Sequence, residues 1–211
     1  MHTKDIIKAG KEISEANKAI IFLHGRGGNA RDFLDLAHNF PVEDFALFAP
    51  QATNNTWYPY SFLAPPLQNE PGLSSALQIL KNLVDEIKSR GISSKDIYFA
   101  GFSQGACLTA EFVTRHAEEY GGIILFTGGL IGDMIYSENY KGDFAGTPVF
   151  VGTGNPDVHV PVERVEETER IMKEMNADVL LKIYNNRPHS ISRDEIEKAN
   201  LHIFKREPGD F

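Results

Sequence analysis

The segment Gly101-Phe102-Ser103-Gln104-Gly105 follows the apolar run Ile97-Tyr98-Phe99-Ala100 and precedes a helical pattern. A serine flanked in this way sits on a sharp strand-to-helix turn, and glycines two before and two after it let the strand and helix backbones approach closely. The turn presents Ser103 at a helix N-terminus, where unpaired N–H groups and the helix dipole favour developing negative charge. A serine hydroxyl is a weak nucleophile until a base takes its proton, and the base needs an acid to fix its tautomer and stabilise the imidazolium. In an open α/β sheet, functional groups gather beyond the carboxyl ends of the strands. Asp157 and His189 meet that condition. Asp157 lies in Gly152-Thr153-Gly154-Asn155-Pro156-Asp157, after a strand ending at Val151, and His189 lies in Asn185-Asn186-Arg187-Pro188-His189, after a strand ending at Tyr184.

Each assignment has a competitor. Asn155-Pro156-Asp157 is good turn chemistry, so Asp157 alone reads as a turn residue, and its combination with Ser103 and His189 reverses that. Asp133 is the rival acid, but it comes one strand too early. Among the seven histidines, His38, His116 and His202 fall in or at the ends of expected helices, His2 is terminal, and His159 is too close in sequence to Asp157 to be its partner. His24 opens a glycine loop and suits a structural role there. Acyl transfer also needs two donors aimed at the tetrahedral oxygen, each typically contributing about 2.7–4 kcal/mol. The backbone N–H groups of Gln104 and Arg26 are the candidates, Arg26 because His24-Gly25-Arg26-Gly27-Gly28 permits close backbone approach. The Arg26 side chain could clamp a substrate carboxylate or phosphate, or serve structure or face solvent. No pair of histidines or carboxylates has metal-ligand spacing, so no metal and no cofactor are expected.

The elements that must carry these residues read as alternating strands and helices. Ala19–Leu23 is a continuous apolar run of the kind found in a parallel strand buried on both faces. Further strands are expected over 45–49, 97–100, 123–126, 148–151 and 179–184. Asn29 is expected to cap a helix burying Phe33, Leu34 and Ala37. A helix over 73–90 would bury Leu73, Leu77, Leu80, Val84 and Ile87 and stop at Gly91. Another over 161–176 begins with Pro161 in its first turn, and Ser192 with Glu195 has capping-box spacing for the last. This pattern predicts one α/β domain over 1–211 with a mostly parallel central sheet and helices on both faces. Two connections, 50–71 and 127–147, are long enough to be functional. The first holds Trp57, Tyr58, Tyr60, Phe62, Leu63 and Leu67, and is too apolar for a solvated loop. Trp57 is expected to line a substrate pocket, and the loop's other residues leave a homodimer contact open.

Composition narrows the partners. Twenty-one basic residues against 29 acidic ones give a net charge of -8, which disfavours nucleic acid and anionic membranes. The single Cys107 falls inside the helix after Ser103 and can form no internal disulfide, which suits a reducing compartment. No long apolar stretch supports a signal peptide or membrane insertion, so a cytoplasmic location is expected.

The chain order serine, aspartate, histidine is that of α/β hydrolases. The chain further resembles the phospholipase/carboxylesterase family of that fold, which includes acyl-protein thioesterases, across nearly its whole length. Four segments carry the likeness: Leu23 to Gly28, Gly101 to Gly105, Gly154-Asn155-Pro156-Asp157-Val158-His159-Val160-Pro161, and His189 before the last helix. The resemblance implies Ser103, Asp157 and His189 as a catalytic triad with the Arg26 and Gln104 N–H groups as an oxyanion hole. Arg26 stands where acyl-protein thioesterases usually have leucine, which turns the expectation from long-acyl or lipidated-protein substrates toward bacterial carboxylesterases. His189 follows Pro188 where the family usually has glycine, so the path of the base loop is expected to differ. The function expected is a serine carboxylesterase acting on a small-molecule ester. Its alternatives are a thioesterase, lysophospholipase or dienelactone-type hydrolase with the same residues, or a non-catalytic fold that binds a small ligand.

Overall fold

A computed structural model describes residues 1–205. Seven strands form one sheet: β1 (Ile6–Gly10), β2 (Ala19–Leu23), β3 (Ala46–Pro50), β4 (Ile97–Phe102), β5 (Gly122–Phe126), β6 (Pro148–Asn155) and β7 (Asp178–Asn185). Their spatial order is β1-β3-β2-β4-β5-β6-β7, and every pair is parallel except β1 with β3. The helices are α1 (Ala30–Leu34), α2 (Gly72–Ser89), α3 (Gln104–Arg115), α4 (Val162–Glu174) and α5 (Arg193–Ala199).

Side-chain alternation along β2 sorts the core into two layers. Ile21 and Leu23 face one side with Phe99, Leu125 and Val151, packed against Leu73, Leu80, Leu83 and Val84 of α2 and against residues of α3 and α4. Ile20 and Phe22 face the other with Ile124, Phe126 and Phe150, packed against α1, Phe40 and the segment after α5. Strands covered on both faces read as unbroken apolar runs, which is why β2, β4 and β5 were legible. Burying each such side chain contributes about 1.5–3 kcal/mol.

Several boundaries differ from expectation. β6 runs on to Asn155 because its pairing with β7 continues to Asn155 opposite Asn185. Pro161 occupies the N-cap of α4 rather than its first turn, with an extended φ/ψ of -58°/136°. In α2 Leu83 is buried and Leu77 only half-buried. α1 ends at Leu34 and gives way to a 3-10 turn, Asp35–Asn39, that buries Ala37. The expected caps are present: the Asn29 side chain accepts from the Asp32 N–H, and Ser192 and Glu195 form a reciprocal capping box.

The chain leaves β2 toward β3 and then crosses back to β4 on its other side, so the strand order reverses between β2 and β4. The crevice beyond the carboxyl ends of strands at such a reversal is where ligands bind. The loop after β2 holds Arg26 and the turn after β4 holds Ser103. Helix α3 lies so close to β2 that a Cβ on Gly105 would collide with the carbonyl oxygens of Leu23 and His24. Those atoms are backbone and cannot swing aside. Gly105→Ala is therefore expected to lower stability by about 1–3 kcal/mol and to displace the turn; denaturant unfolding checks the first part.

Candidate active site

Ser103 has φ 52° and ψ -119°, a left-handed conformation unusual for a residue with a side chain. Strain of this kind persists only where the surroundings over-determine it. Its N–H donates to the Phe126 carbonyl on β5 at 2.9 Å, and its carbonyl accepts from the Cys107 N–H at 2.9 Å. The hydroxyl is thereby lifted away from both strand and helix. His189 Nε2 lies 2.8 Å from Ser103 Oγ, and His189 Nδ1 lies 2.7 Å from Asp157 Oδ2. The three side chains come from the ends of β4, β6 and β7 and form one continuous hydrogen-bonded line.

Asp157 is fixed from behind. Its Oδ1 accepts the N–H groups of His159 at 2.8 Å and Val160 at 3.0 Å, and its side chain is fully buried. Burial works to raise its carboxyl, but the hydrogen bonds from His189, His159 and Val160 outweigh it and hold the group below its usual value. The His189 ring is held between Phe102, with centroids 5.2 Å apart, and His159, edge-on at 5.0 Å. The sequence assigns neither partner this role, although Phe102 directly precedes Ser103 and His159 lies two residues after Asp157. The rival acid Asp133 is exposed and accepts from the Tyr136 hydroxyl, in a different loop.

Among the described residues, the backbone N–H groups of Arg26 and Gln104 donate to no protein acceptor. Both border the same cleft as Ser103. Unpaired main-chain donors beside a serine hydroxyl are what an oxyanion formed there would need. His24 holds the first of these loops. Its Nδ1 donates to the Gly25 carbonyl at 2.8 Å and its Nε2 accepts from the Ala52 N–H at 3.1 Å. Burial lowers its pKa, so the imidazole that this bonding requires is the neutral one.

The 50–71 loop forms one wall of the cleft, through Tyr58, Pro59, Tyr60, Ser61 and Phe62. Trp57 is a correction to expectation: it is wholly buried and does not line the cleft. Its indole packs, tilted, between the rings of His2 and His24 and donates to the His24 carbonyl at 2.9 Å, so it anchors the loop. The Gln104 side chain does the same work from the helix side. Its Oε1 accepts from the Trp57 N–H at 2.9 Å and its Nε2 donates to the Tyr58 carbonyl at 2.8 Å. A buried glutamine in the first turn of α3 was the available signal. The Arg26 guanidinium, offered above as a substrate clamp or a structural group, ties to Thr56 Oγ1 (2.9 Å), the Pro59 carbonyl (2.9 Å) and the Tyr60 carbonyl (2.6 Å). It braces the loop.

The cleft has a volume of about 440 Å³, and its remaining lining includes Phe102, Cys107, Val160 and His159. Cys107 sits one helical turn beyond Ser103, and burial pushes its thiol up to about 12, so it contributes apolar floor and no thiolate. No carboxylate lines the cleft, and no cluster of metal-ligating side chains occurs among the described residues.

The family model for phospholipase/carboxylesterase matches residues 4–206. The chain belongs to that family. A phospholipase/carboxylesterase from Dyadobacter fermentans is 55% identical and superposes with a TM-score of 0.95, covering 96% of this chain and 97% of that one. The acyl-protein thioesterase 1 of Saccharomyces cerevisiae is 25% identical over 94% of this chain and 97% of its own length. A Bacillus cereus carboxylesterase at 23% identity shares the fold, with a TM-score of 0.78 over 96% of this chain and 94% of its own. The protein is thus an α/β hydrolase of the carboxylesterase type, an enzyme acting on ester bonds. No helix among the described residues of this family member is long and apolar enough to cross a membrane.

Proposed function

We propose that this family member hydrolyses carboxylic esters through an acyl-enzyme formed on Ser103. The observation that carries the reading is the unbroken Ser103–His189–Asp157 line, at 2.8 and 2.7 Å, opening into a cleft with unpaired main-chain donors. His189 Nε2 takes the hydroxyl proton as Ser103 Oγ bonds to the ester carbonyl carbon. The carbonyl oxygen becomes an oxyanion held by the N–H groups of Arg26 and Gln104. Asp157 accepts from His189 Nδ1, keeps the Nε2 lone pair toward the serine, and stabilises the imidazolium. The tetrahedral carbon then expels the alkoxide, which receives the proton from His189. Water enters, gives a proton to His189 and attacks the acyl carbonyl. The second collapse releases the acid and returns the proton to Ser103.

The cleft supports a neutral or anionic ester with an apolar or aryl acyl group, because Tyr58, Tyr60, Phe62, Phe102 and Val160 line it and, among the described residues, no acidic side chain does. A thioester would meet the same nucleophile and donors, and the thioesterase relative keeps that reading second.

The test combines a rate series with a covalent label. p-Nitrophenyl esters from acetate to palmitate are offered to the protein, and a fluorophosphonate probe is mapped by mass spectrometry. We expect turnover with an optimum in chain length and one probe per chain on the peptide containing Ser103. Absence of turnover together with no label at Ser103 in folded protein overturns the proposal.

A further inference from the structure

His189 sits on a short connection, 186–192, between β7 and α5, in which Asn186, Pro188 and Ser190 are exposed. A polar segment with so little apolar burial has little of its own to hold it still. The residue two before the histidine behaves differently. The Arg187 side chain is only 10% exposed and points inward to Glu195, whose side chain is fully buried. Its Nη1 donates to Glu195 Oε2 and, at 2.8 Å, to the Ser190 carbonyl, which spans His189 from one side to the other. Its Nη2 reaches Thr127 Oγ1 at 3.3 Å, in the loop after β5, and the guanidinium lies 4.9 Å from the Tyr184 ring centre. Glu195 is itself fixed, because its Oε2 also accepts the Ser192 N–H at 2.8 Å and the Ser192 hydroxyl at 3.1 Å. On β6 a Cβ at Gly152 would collide with Glu195 Oε1, so that strand leaves a space only the carboxylate fills.

We propose that the buried Arg187–Glu195 pair is the brace that holds His189 in line with Ser103 and Asp157, making Arg187 a positioning residue of the reaction. The inference rests on the serine-hydrolase reading above. Stability is a weak reason for such a pair, since desolvating both charges costs several kcal/mol per ion. Arg187 Nε and Glu195 Oε1 have no partner among the described residues, so the pair is not optimised for stability. What it secures is location. It joins the ends of β5 and β7 to α5 and crosses the base residue while doing so. A displacement of about 1 Å in a catalytic group costs about 10²-fold in rate.

The groups around the guanidinium are Glu195 from α5, Tyr184 from β7 and Asp157 from the loop after β6, while His159 faces the His189 ring. Arg187→Met is expected to lower kcat for p-nitrophenyl acetate by about 10²-fold with KM nearly unchanged. Arg187→Lys is expected to recover only part of it, because an ammonium cannot reach Glu195, Ser190 and Thr127 together. Glu195→Gln keeps the capping-box shape but leaves the Arg187 charge unneutralised near the base. That disfavours the imidazolium, so the acid limb of the kcat/KM profile is expected to move to lower pH.

Thermal midpoints are recorded for all variants. Wild-type kcat and a wild-type pH profile in both Arg187→Met and Glu195→Gln, with only the midpoints lowered, overturn the proposal. If Arg187→Met does not fold, the pH limb of Glu195→Gln decides alone, an unmoved limb counting against the brace. Ser103→Ala in the same assay separates the two readings. Retained hydrolysis there removes the serine mechanism and the brace with it, whereas an inactive Ser103→Ala beside a fully active Arg187→Met removes the brace alone.

Discussion

Ser103→Ala is expected to lower kcat for p-nitrophenyl butyrate by on the order of 10⁶, the size of loss seen when a triad nucleophile is removed. The alanine keeps the Cβ and deletes only the atom proposed to bond to the substrate. Ser103 Oγ contacts His189 Nε2 and bears no other hydrogen bond among the described residues. The turn is held by main-chain bonds to Phe126 and Cys107, so folding should be unaffected. Circular dichroism and the thermal midpoint should therefore match the wild type while the progress curve falls to background. Residual turnover of about 10³–10⁴ over water would still be consistent, since donors and cleft remain. Undiminished hydrolysis by folded Ser103→Ala would end the acyl-enzyme reading.

Asp157→Asn is expected to cost about 10⁴ in kcat, and the reason is tautomeric. The asparagine oxygen can still accept from His159 and Val160, as Asp157 Oδ1 does now at 2.8 and 3.0 Å. That orientation turns its NH₂ toward His189 Nδ1. Two donors cannot face one another, so Nδ1 gives up its proton and Nε2 takes one. Nε2 then presents an N–H to Ser103 instead of a lone pair. Nitrogen NMR of the imidazole should report the reversed tautomer, and steady-state kinetics should show the loss in kcat with KM little changed. Because the asparagine fits the same hydrogen bonds, unfolding should play no part. A variant within tenfold of wild type would mean that Asp157 does not set the tautomer.

The sheet was legible where both faces are covered, because unbroken apolar runs such as Ala19–Leu23 and Ile97–Ala100 leave little choice. The strand β1 escaped notice for the converse reason. It is an edge strand with only Ile6 and Ile7 half-buried and with Lys8, Ala9 and Gly10 exposed, so no pattern announces it. Its antiparallel pairing to β3 is a tertiary matter. Ser103, Asp157 and His189 could be picked out by their places past strand ends, since strand order and chemistry constrain the same residues. The cleft wall could not. Trp57 is the largest apolar side chain of its loop, and a long loop too apolar for solvent suggested a pocket lining. Its indole N–H and the two flanking imidazoles draw it into the core, leaving Tyr58 to Phe62 at the surface of the cleft. The brace at Arg187 was equally hidden, because a buried arginine beside a proline looks like loop chemistry until Glu195 and Gly152 are seen beneath it.

The sheet order carries one more consequence. The serine stands at the end of β4, which has neighbours on both sides, whereas the histidine hangs from β7, one of the two edge strands, half-exposed along much of its length. Edges open more readily than centres. On warming, the rim should come away while the middle of the molecule is still intact, leaving a folded body that keeps Ser103 in place without His189. Turnover would then be the earliest casualty of heat, failing several degrees before spectroscopy registers any melting and returning on cooling. The working temperature should then follow how tightly β7 is fastened more than how well the core is packed.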